Sequence, residues 1–413
     1  MHRLLISCCL IFSWTIVFSQ FNADDALHKK KIYTSLKEAL KTPSSVYRLD
    51  LSGSGGSKLS KEISKFSNLQ ELRLMYLNLT ELNEELKTLG KLEIIDLSGN
   101  PRIDWDIAFD QLVALPNLHT LLLKDNELKE LPSSIASFKK LEHINLNNNE
   151  LVKLAAIDQL SLKTLWVAEN KLASYPTNIN KITSLQNLNL AKNGLEELSD
   201  EIKDLTALKT LNLEENNLQW LPNPLDLLRE LSVLNLSSNV QMNWPYAFKQ
   251  MMRLINLRTL YLRDNDLTEV SFEPGGFIKL EALDLSGNSA LDWDNTFAVL
   301  GTAPELMELH LENNRIKGLA ASIQQIKKLS YLNLNRNRIV HLTKSLQENE
   351  ELKKITLNRN KLKELPKEAL NLRQLEELEL NENQLTQLPE EMGKMSSLQV
   401  LKINKNPSLN LEK

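Results

Sequence analysis

The chain has 413 residues, 49 of them Lys or Arg and 53 Asp or Glu, for a net charge of −4 with 25% of residues charged. So small a balance leaves no electrostatic footprint for nucleic acid or an anionic membrane surface. Both cysteines, Cys8 and Cys9, lie in the first nineteen residues, so a chain that loses this segment has no disulfide, no thiolate nucleophile and no cysteine metal site.

Residues 1–19 have a short basic start, Met1-His2-Arg3, a 15-residue apolar run from Leu4 to Phe18, and Ser19 before Gln20. This is the pattern of a cleavable secretory signal. The run is too short for a spanning helix, which needs about 20 apolar residues. Cleavage near Ser19-Gln20 would export the chain to the periplasm, the cell surface or the medium with no transmembrane segment, and would change the net charge to −5 by removing Arg3. Leu5-Ile6-Ser7-Cys8 imitates a lipoprotein box but would leave a signal of only seven residues.

Residues 20–45 read as an N-terminal cap. Ile32, Leu36, Ala39 and Leu40 form an apolar stripe at helical spacing, Ser35 and Glu38 suit a capping box, and Pro43 stops the helix, which is predicted within residues 24–41.

From Val46 onward one pattern recurs, L-x-x-L-x-L-x-x-N-x-L. It starts at Val46, Leu69, Leu92, Leu118, Leu141, Leu162, Leu185, Leu208, Leu231, Leu257, Leu280, Leu306, Leu329, Leu352, Leu375 and Leu398. The spacing is 23 residues with four exceptions, giving fifteen repeats plus a terminal strand over residues 46–413. Length alone would accommodate two or three ordinary domains; the uninterrupted repeat makes it one elongated domain. The first residue of each copy is position 1. Apolar residues at positions 1, 4 and 6, such as Leu118, Leu121 and Leu123, alternate as in a short strand with one buried face. Position 9 is Asn in fourteen of sixteen copies, the exceptions being Ser54 and Leu77. A side chain with both donors and an acceptor can bond the backbone of its own turn and of its neighbour's, forming a ladder. One copy cannot bury its leucines, but stacked copies share a core. The second half of several copies reads apolar-Pro followed by an apolar residue three positions on, as in Leu131, Pro132 and Ile135, a tight return segment.

Three copies are 26 residues long and carry an insert: Asp104, Trp105, Phe109 and Leu112; Asn243, Trp244, Phe248 and Met251; Asp292, Trp293, Phe297 and Leu300. The aromatic and aliphatic residues share one helical face and Asp104, Asn243 and Asp292 stand at the N-cap. These helices fill a wider layer or, alternatively, form a second interaction surface. The last strand, with Leu401 and Ile403, is followed by no comparable cap, so self-association through that end is a further possibility.

With so many in-register copies, the sequence resembles the leucine-rich repeat superfamily, specifically its typical 23-residue class, over about nine tenths of the chain. The resemblance implies an α/β fold: a right-handed leucine-rich-repeat solenoid, or horseshoe, with a concave parallel β-sheet and convex turns, 3-10 segments and a few short α-helices. It also implies a role in binding other macromolecules. Animal and plant extracellular members usually carry cysteine-bridged caps. Their absence makes this chain look like an exported bacterial leucine-rich repeat protein.

Nothing in the chain supports catalysis or a cofactor. His28, His119, His143, His310 and His341 have no metal-ligand spacing, Gly53-Ser54-Gly55-Gly56 is no nucleophile elbow, and no phosphate loop is present. Glu214, Glu215, Asp264 and Asp266 could suggest Ca²⁺ sites on the strand-exit edge, but hard cations need several converging oxygens, and a solvated acidic edge is the favoured reading.

Positions 3, 5 and 7 point away from the leucines, and most side chains at position 5 are short and polar. Against that background Leu122, His143 and Trp166 from three adjacent strands form a first candidate partner-binding cluster, with Leu122 and Trp166 expected to be exposed. Arg258, Tyr261 and Arg263 form a second, and His310, Tyr331, Arg336 and Arg359 a third. The sequence therefore reads as a non-enzymatic, exported recognition or adhesion module that binds a protein ligand through the concave sheet. Glycan or envelope-polysaccharide binding and a structural envelope role remain as alternatives.

Overall fold

The computed structural model describes residues 25–273, 275–365 and 370–410, so the signal expected in residues 1–19 lies outside them. The chain divides into two compact units. The first runs to Leu195 and includes Glu201–Asn212; the second comprises Glu196–Asp200 and the chain from Leu213 onward.

Each repeat supplies a three-residue strand at positions 3–5. In the first unit these are β2 (Arg48–Asp50), β3 (Glu71–Arg73), β4 (Ile94–Asp96), β5 (Thr120–Leu122), β6 (His143–Asn145), β7 (Thr164–Trp166), β8 (Asn187–Asn189) and β9 (Thr210–Asn212). The second unit holds β10 (Val233–Asn235), β11 (Thr259–Tyr261), β12 (Ala282–Asp284), β13 (Glu308–His310), β14 (Tyr331–Asn333), β15 (Lys354–Thr356), β16 (Glu377–Glu379) and β17 (Val400–Lys402). Within each unit successive strands pair in parallel and in register, Leu72 beside Ile95 in one and Leu309 beside Leu332 in the other. Apart from Leu51 of the first copy and the residues of the last, positions 1, 4 and 6 are buried on one side of the strands, which forms the core, and positions 3 and 5 face the other side.

The helix predicted within residues 24–41 forms only in pieces. Short helices α1 (Asp25–His28) and α2 (Leu36–Ala39) flank a two-residue strand, β1 (Ile32–Tyr33), which pairs in parallel with β2. Ile32 thus leaves the predicted apolar stripe. Its β-branched side chain suits a strand, and the pairing satisfies an otherwise bare edge of β2. Ser35 does cap α2, its Oγ accepting from the Glu38 N–H at 3.4 Å.

The predicted asparagine ladder is present. Asn149 Nδ2 donates to the Leu123, Leu146 and Asn147 carbonyls at 2.9, 2.9 and 3.3 Å, while its Oδ1 accepts from the N–H groups of Asn126 and Leu128, both at 3.0 Å. One side chain therefore ties two turns together. The preceding residue, position 8, has positive φ in all sixteen copies, and only Gly53, Gly99 and Gly287 are glycine there. Left-handed backbone costs a non-glycine residue roughly 1–2 kcal/mol, which the ladder bonds offset. Gly99 also has a steric reason: a Cβ there would fall 2.1 Å from Cδ1 of Tyr76.

The inserts form the expected helices, α3 (Trp105–Leu112), α4 (Trp244–Met251) and α5 (Trp293–Leu300). Asp104, Asn243 and Asp292 cap them by accepting backbone N–H bonds, and Phe109, Phe248 and Phe297 are buried. Most remaining return segments are 3-10 turns, such as Ser133–Ser137 after Pro132. Among the described residues no helix is long and apolar enough to cross a membrane.

Candidate interaction surface on the sheet face

The short polar residues of position 5 have a structural task that the sequence reading missed. Asp50, Asp96, Asn145, Asn189, Asn235, Asp284 and Asn333 each accept, at 2.8–3.0 Å, the backbone N–H two residues on. This is the local Asx bond of a strand exit, and an Asp or Asn at position 5 was its legible signal. Much of the polar face is committed to its own backbone.

Leu122 and Trp166 are not exposed as predicted. They are 5% and 6% accessible and form a small apolar cluster of their own. Register places Asn145 of β6 between them, so their contact spans two strand spacings, which the long indole can bridge. A large side chain among short ones folds down onto its nearest apolar neighbour because exposure would leave both wet. Trp166→Ala is therefore a core truncation and no clean probe of binding.

Beside this cluster stands a residue not singled out from sequence. Asp96 of β4, in register with Leu122 of β5, is 1% accessible. Its Oδ1 accepts the Ser98 N–H at 3.0 Å, but its Oδ2 is buried without a hydrogen-bond partner. Arg73, on the neighbouring strand, places its guanidinium 2.6 Å from Glu71 and 4.0 Å from Asp50. Burial pushes the Asp96 carboxyl above its usual range, against the bonds from Ser98 and the field of Arg73. Five other repeats have Asn at this position, namely Asn145, Asn189, Asn212, Asn235 and Asn333.

His143, predicted to join Leu122 and Trp166, lies beside them on β6. Its Nδ1 is 3.0 Å from Thr164 Oγ1, and its ring meets His119 edge to face with centroids 6.5 Å apart. Burial pushes its pKa down to about 4, the nearby Glu142 carboxylate opposing, so the imidazole is neutral at pH 7.

The other two clusters are also rearranged. Tyr261 is half-buried, while Arg258 pairs with Glu281 of the next repeat and Arg263 Nε lies 2.9 Å from Asp264. His310 and Tyr331 do meet, edge to face with centroids 5.0 Å apart, but both are buried, at 4% and 9% accessibility. His310 Nδ1 has no hydrogen-bond partner. Arg336 and Arg359 stand at left-handed position 8, where they pair with Glu312 at 3.3 Å and Glu382 at 3.1 Å, so the third cluster splits. On the proposed Ca²⁺ edge, Glu214 accepts from Asn235 Nδ2 at 3.1 Å and Asp264 pairs with Arg263. Among the described residues no three His, Cys, Asp or Glu side chains are grouped to hold a metal ion.

A family model for the leucine rich repeat matches residues 304–362 and 350–407. A solved leucine-rich repeat protein of Leptospira interrogans is 32% identical, with a TM-score of 0.69 and coverage of 92% of this chain and 95% of that one. The ectodomain of a plant membrane receptor kinase from Arabidopsis thaliana, solved in complex with Casparian strip integrity factor 2, is a likeness of fold. It is 24% identical with a TM-score of 0.56, covering 87% of this chain and 47% of that one. Lumican of Mus musculus is 35% identical over 114 residues, which are 27% of this chain and 32% of lumican. The match thus spans about a third of the length of that lumican.

Proposed function

Because the chain belongs to the leucine-rich repeat family, whose domains commonly bind proteins and are generally not enzymes, we propose that it is an exported, non-enzymatic recognition module. It binds another protein through the sheet face, and the site is centred on Asp96. The observation that carries this reading is the orphaned Oδ2 of Asp96, recessed beside the Leu122 and Trp166 cluster. A buried polar atom without a partner is costly. Asn, used at position 5 in five other repeats, would keep the Oδ1 bond to the backbone without the charge. A carboxylate that weakens the fold at this point is suited to a ligand that donates to it, such as a partner's Lys, Arg or amide group. Export rests on residues 1–19 and is checked by N-terminal sequencing of the protein recovered from outside the cytoplasm, which should begin near Gln20.

Binding is tested with immobilised wild-type protein and an Asp96→Asn variant, each passed over an extract of surface proteins from the source cells. A protein held by the wild type and released about tenfold more readily by the variant, a loss of about 1.4 kcal/mol, supports the reading. Equal retention by both would remove Asp96 from it, and no retained protein would count against a recognition role.

A further inference from the structure

In the second unit a cleft of about 420 Å³ opens beside the N-terminus of α4, away from the strands. We propose that this cleft is a carbohydrate-binding site that takes one face of a neutral sugar ring, in a glycan chain, against Trp220. Three consecutive repeats build it: Gln219 and Trp220 from the first, Gln241 and Asn243 from the second, Asp266 and Glu269 from the third. Trp220 is 50% accessible and meets Tyr246 edge to face, with centroids 6.1 Å apart. Tyr246 does not line the cleft and Trp244, which does, is only 8% accessible. A single indole is therefore offered to a ligand, with Tyr246 steadying it.

Apart from Asn243, which caps α4, four polar side chains around that indole are uncommitted. Among the described residues, Gln219, Gln241, Asp266 and Glu269 are exposed and have no side-chain hydrogen bond or ion pair. Elsewhere some charged groups do pair between repeats, as Lys328 does with Glu305 and Lys402 with Glu379. Trp244 Nε1 is buried without a partner at the cleft wall, as Trp105 Nε1 is at the equivalent place in the first insert, so this atom does not distinguish the cleft.

The internal repeats act as a control. Glu81 and Glu269 occupy, before α3 and α5, the position that Trp220 occupies before α4. Glu81 there pairs with Lys58 at 2.7 Å. The three inserts share the buried Phe and the capped helix, so neither packing nor capping calls for an exposed Trp beside this one alone.

The lining sets the ligand class. No cation lines the cleft and two carboxylates do, which disfavours an anion. A quaternary ammonium group is best held when several ring faces surround it, and here one ring is exposed. A sugar ring has an apolar C–H face for the indole and hydroxyl edges that both donate and accept, matching planar amides and carboxylates.

The test uses the mature chain in affinity electrophoresis through gels containing laminarin, dextran or soluble chitin oligomers, with titration of a proline-rich decapeptide and of choline in parallel. The variants are Trp220→Ala, Trp220→Phe and Asp266→Asn/Glu269→Gln, with Asp96→Asn as a control on the sheet face. Retardation by at least one carbohydrate is expected. It should weaken about tenfold or more in Trp220→Ala, less in Trp220→Phe, and stay unchanged in Asp96→Asn. Unchanged melting of Trp220→Ala would show that its loss is local. No carbohydrate binding, binding indifferent to Trp220→Ala, or Trp220-dependent binding of the peptide or choline in place of sugar would each overturn the proposal.

Discussion

Arg48 and Glu71, on adjacent strands of the first unit, form a buried ion pair, with Nε donating to Oε2 at 2.6 Å and both side chains about 5% accessible. Arg48 also donates to the His28 carbonyl at 3.1 Å, and Glu71 accepts from Arg73 at 2.6 Å. The pair thus connects α1 to the strands. Removing one partner strands a buried charge, so Glu71→Ala should cost about 3–5 kcal/mol of stability. Replacing both residues with apolar side chains of similar volume should cost much less. Chemical denaturation of the three proteins compares these outcomes, and a loss below about 1 kcal/mol in Glu71→Ala would mean that Arg48 finds another partner.

The ladder predicts a steep penalty at a single asparagine. Asn288 Nδ2 donates to the Leu262, Leu285 and Ser286 carbonyls at 2.9–3.2 Å, and its Oδ1 accepts from the N–H groups of Asn265 and Leu267 at 3.0 and 3.1 Å. Asn288→Ala leaves several buried backbone groups unmet, at about 1–3 kcal/mol for an unsatisfied group. Hydrogen exchange should accelerate first at Asn265 and Leu267. Protection unchanged at both amides would contradict the ladder's role.

Asp96→Asn should stabilise the protein at pH 7 by about 1 kcal/mol while weakening partner binding. The folded carboxyl titrates above its ordinary value of 3.8. As pH rises from 3.8 through the raised value, the folded state holds a proton that the unfolded state has lost, so stability falls and stays lower above that window. The advantage of Asn is therefore present at neutral pH and fades below pH 3.8. Thermal melts of both proteins at pH 7 and near pH 3.5 would decide this; an equal or lower melting temperature for the variant at pH 7 would refute it.

His143 gives the opposite slope. Its folded pKa of about 4 lies below the ordinary 6.5. Between these values the unfolded chain takes up a proton that the folded chain refuses. Its contribution is complete above pH 6.5, declines as pH falls, and is lost by about pH 4. His143→Gln should flatten the fall in stability between pH 6.5 and pH 4, whatever its absolute effect. Parallel curves for wild type and variant would show that His143 does not set this slope.

The periodicity of positions 1, 4, 6 and 9 by itself determined the stacked short strands, the shared leucine core and the asparagine ladder, while their parallel pairing was what the resemblance to the leucine-rich repeat superfamily implied. These follow from a local rule repeated many times: each copy must present the same apolar edge and the same hydrogen-bonding side chain to its neighbour. The inserted helices were legible for the same reason, since their caps and apolar faces are contained within a few consecutive residues. Only the tertiary structure decided the sheet face, because burial there depends on which side chains stand on neighbouring strands. Trp166 folds onto Leu122 two strands away, Asp96 Oδ2 loses solvent without gaining a partner, and Arg336 and Arg359 pair with Glu312 of the preceding repeat and Glu382 of the following one instead of joining His310. The strand at Ile32 likewise exists because β2 offers an edge to pair with. The cleft beneath Trp220 needs three repeats at once, and no reading of one repeat contains it.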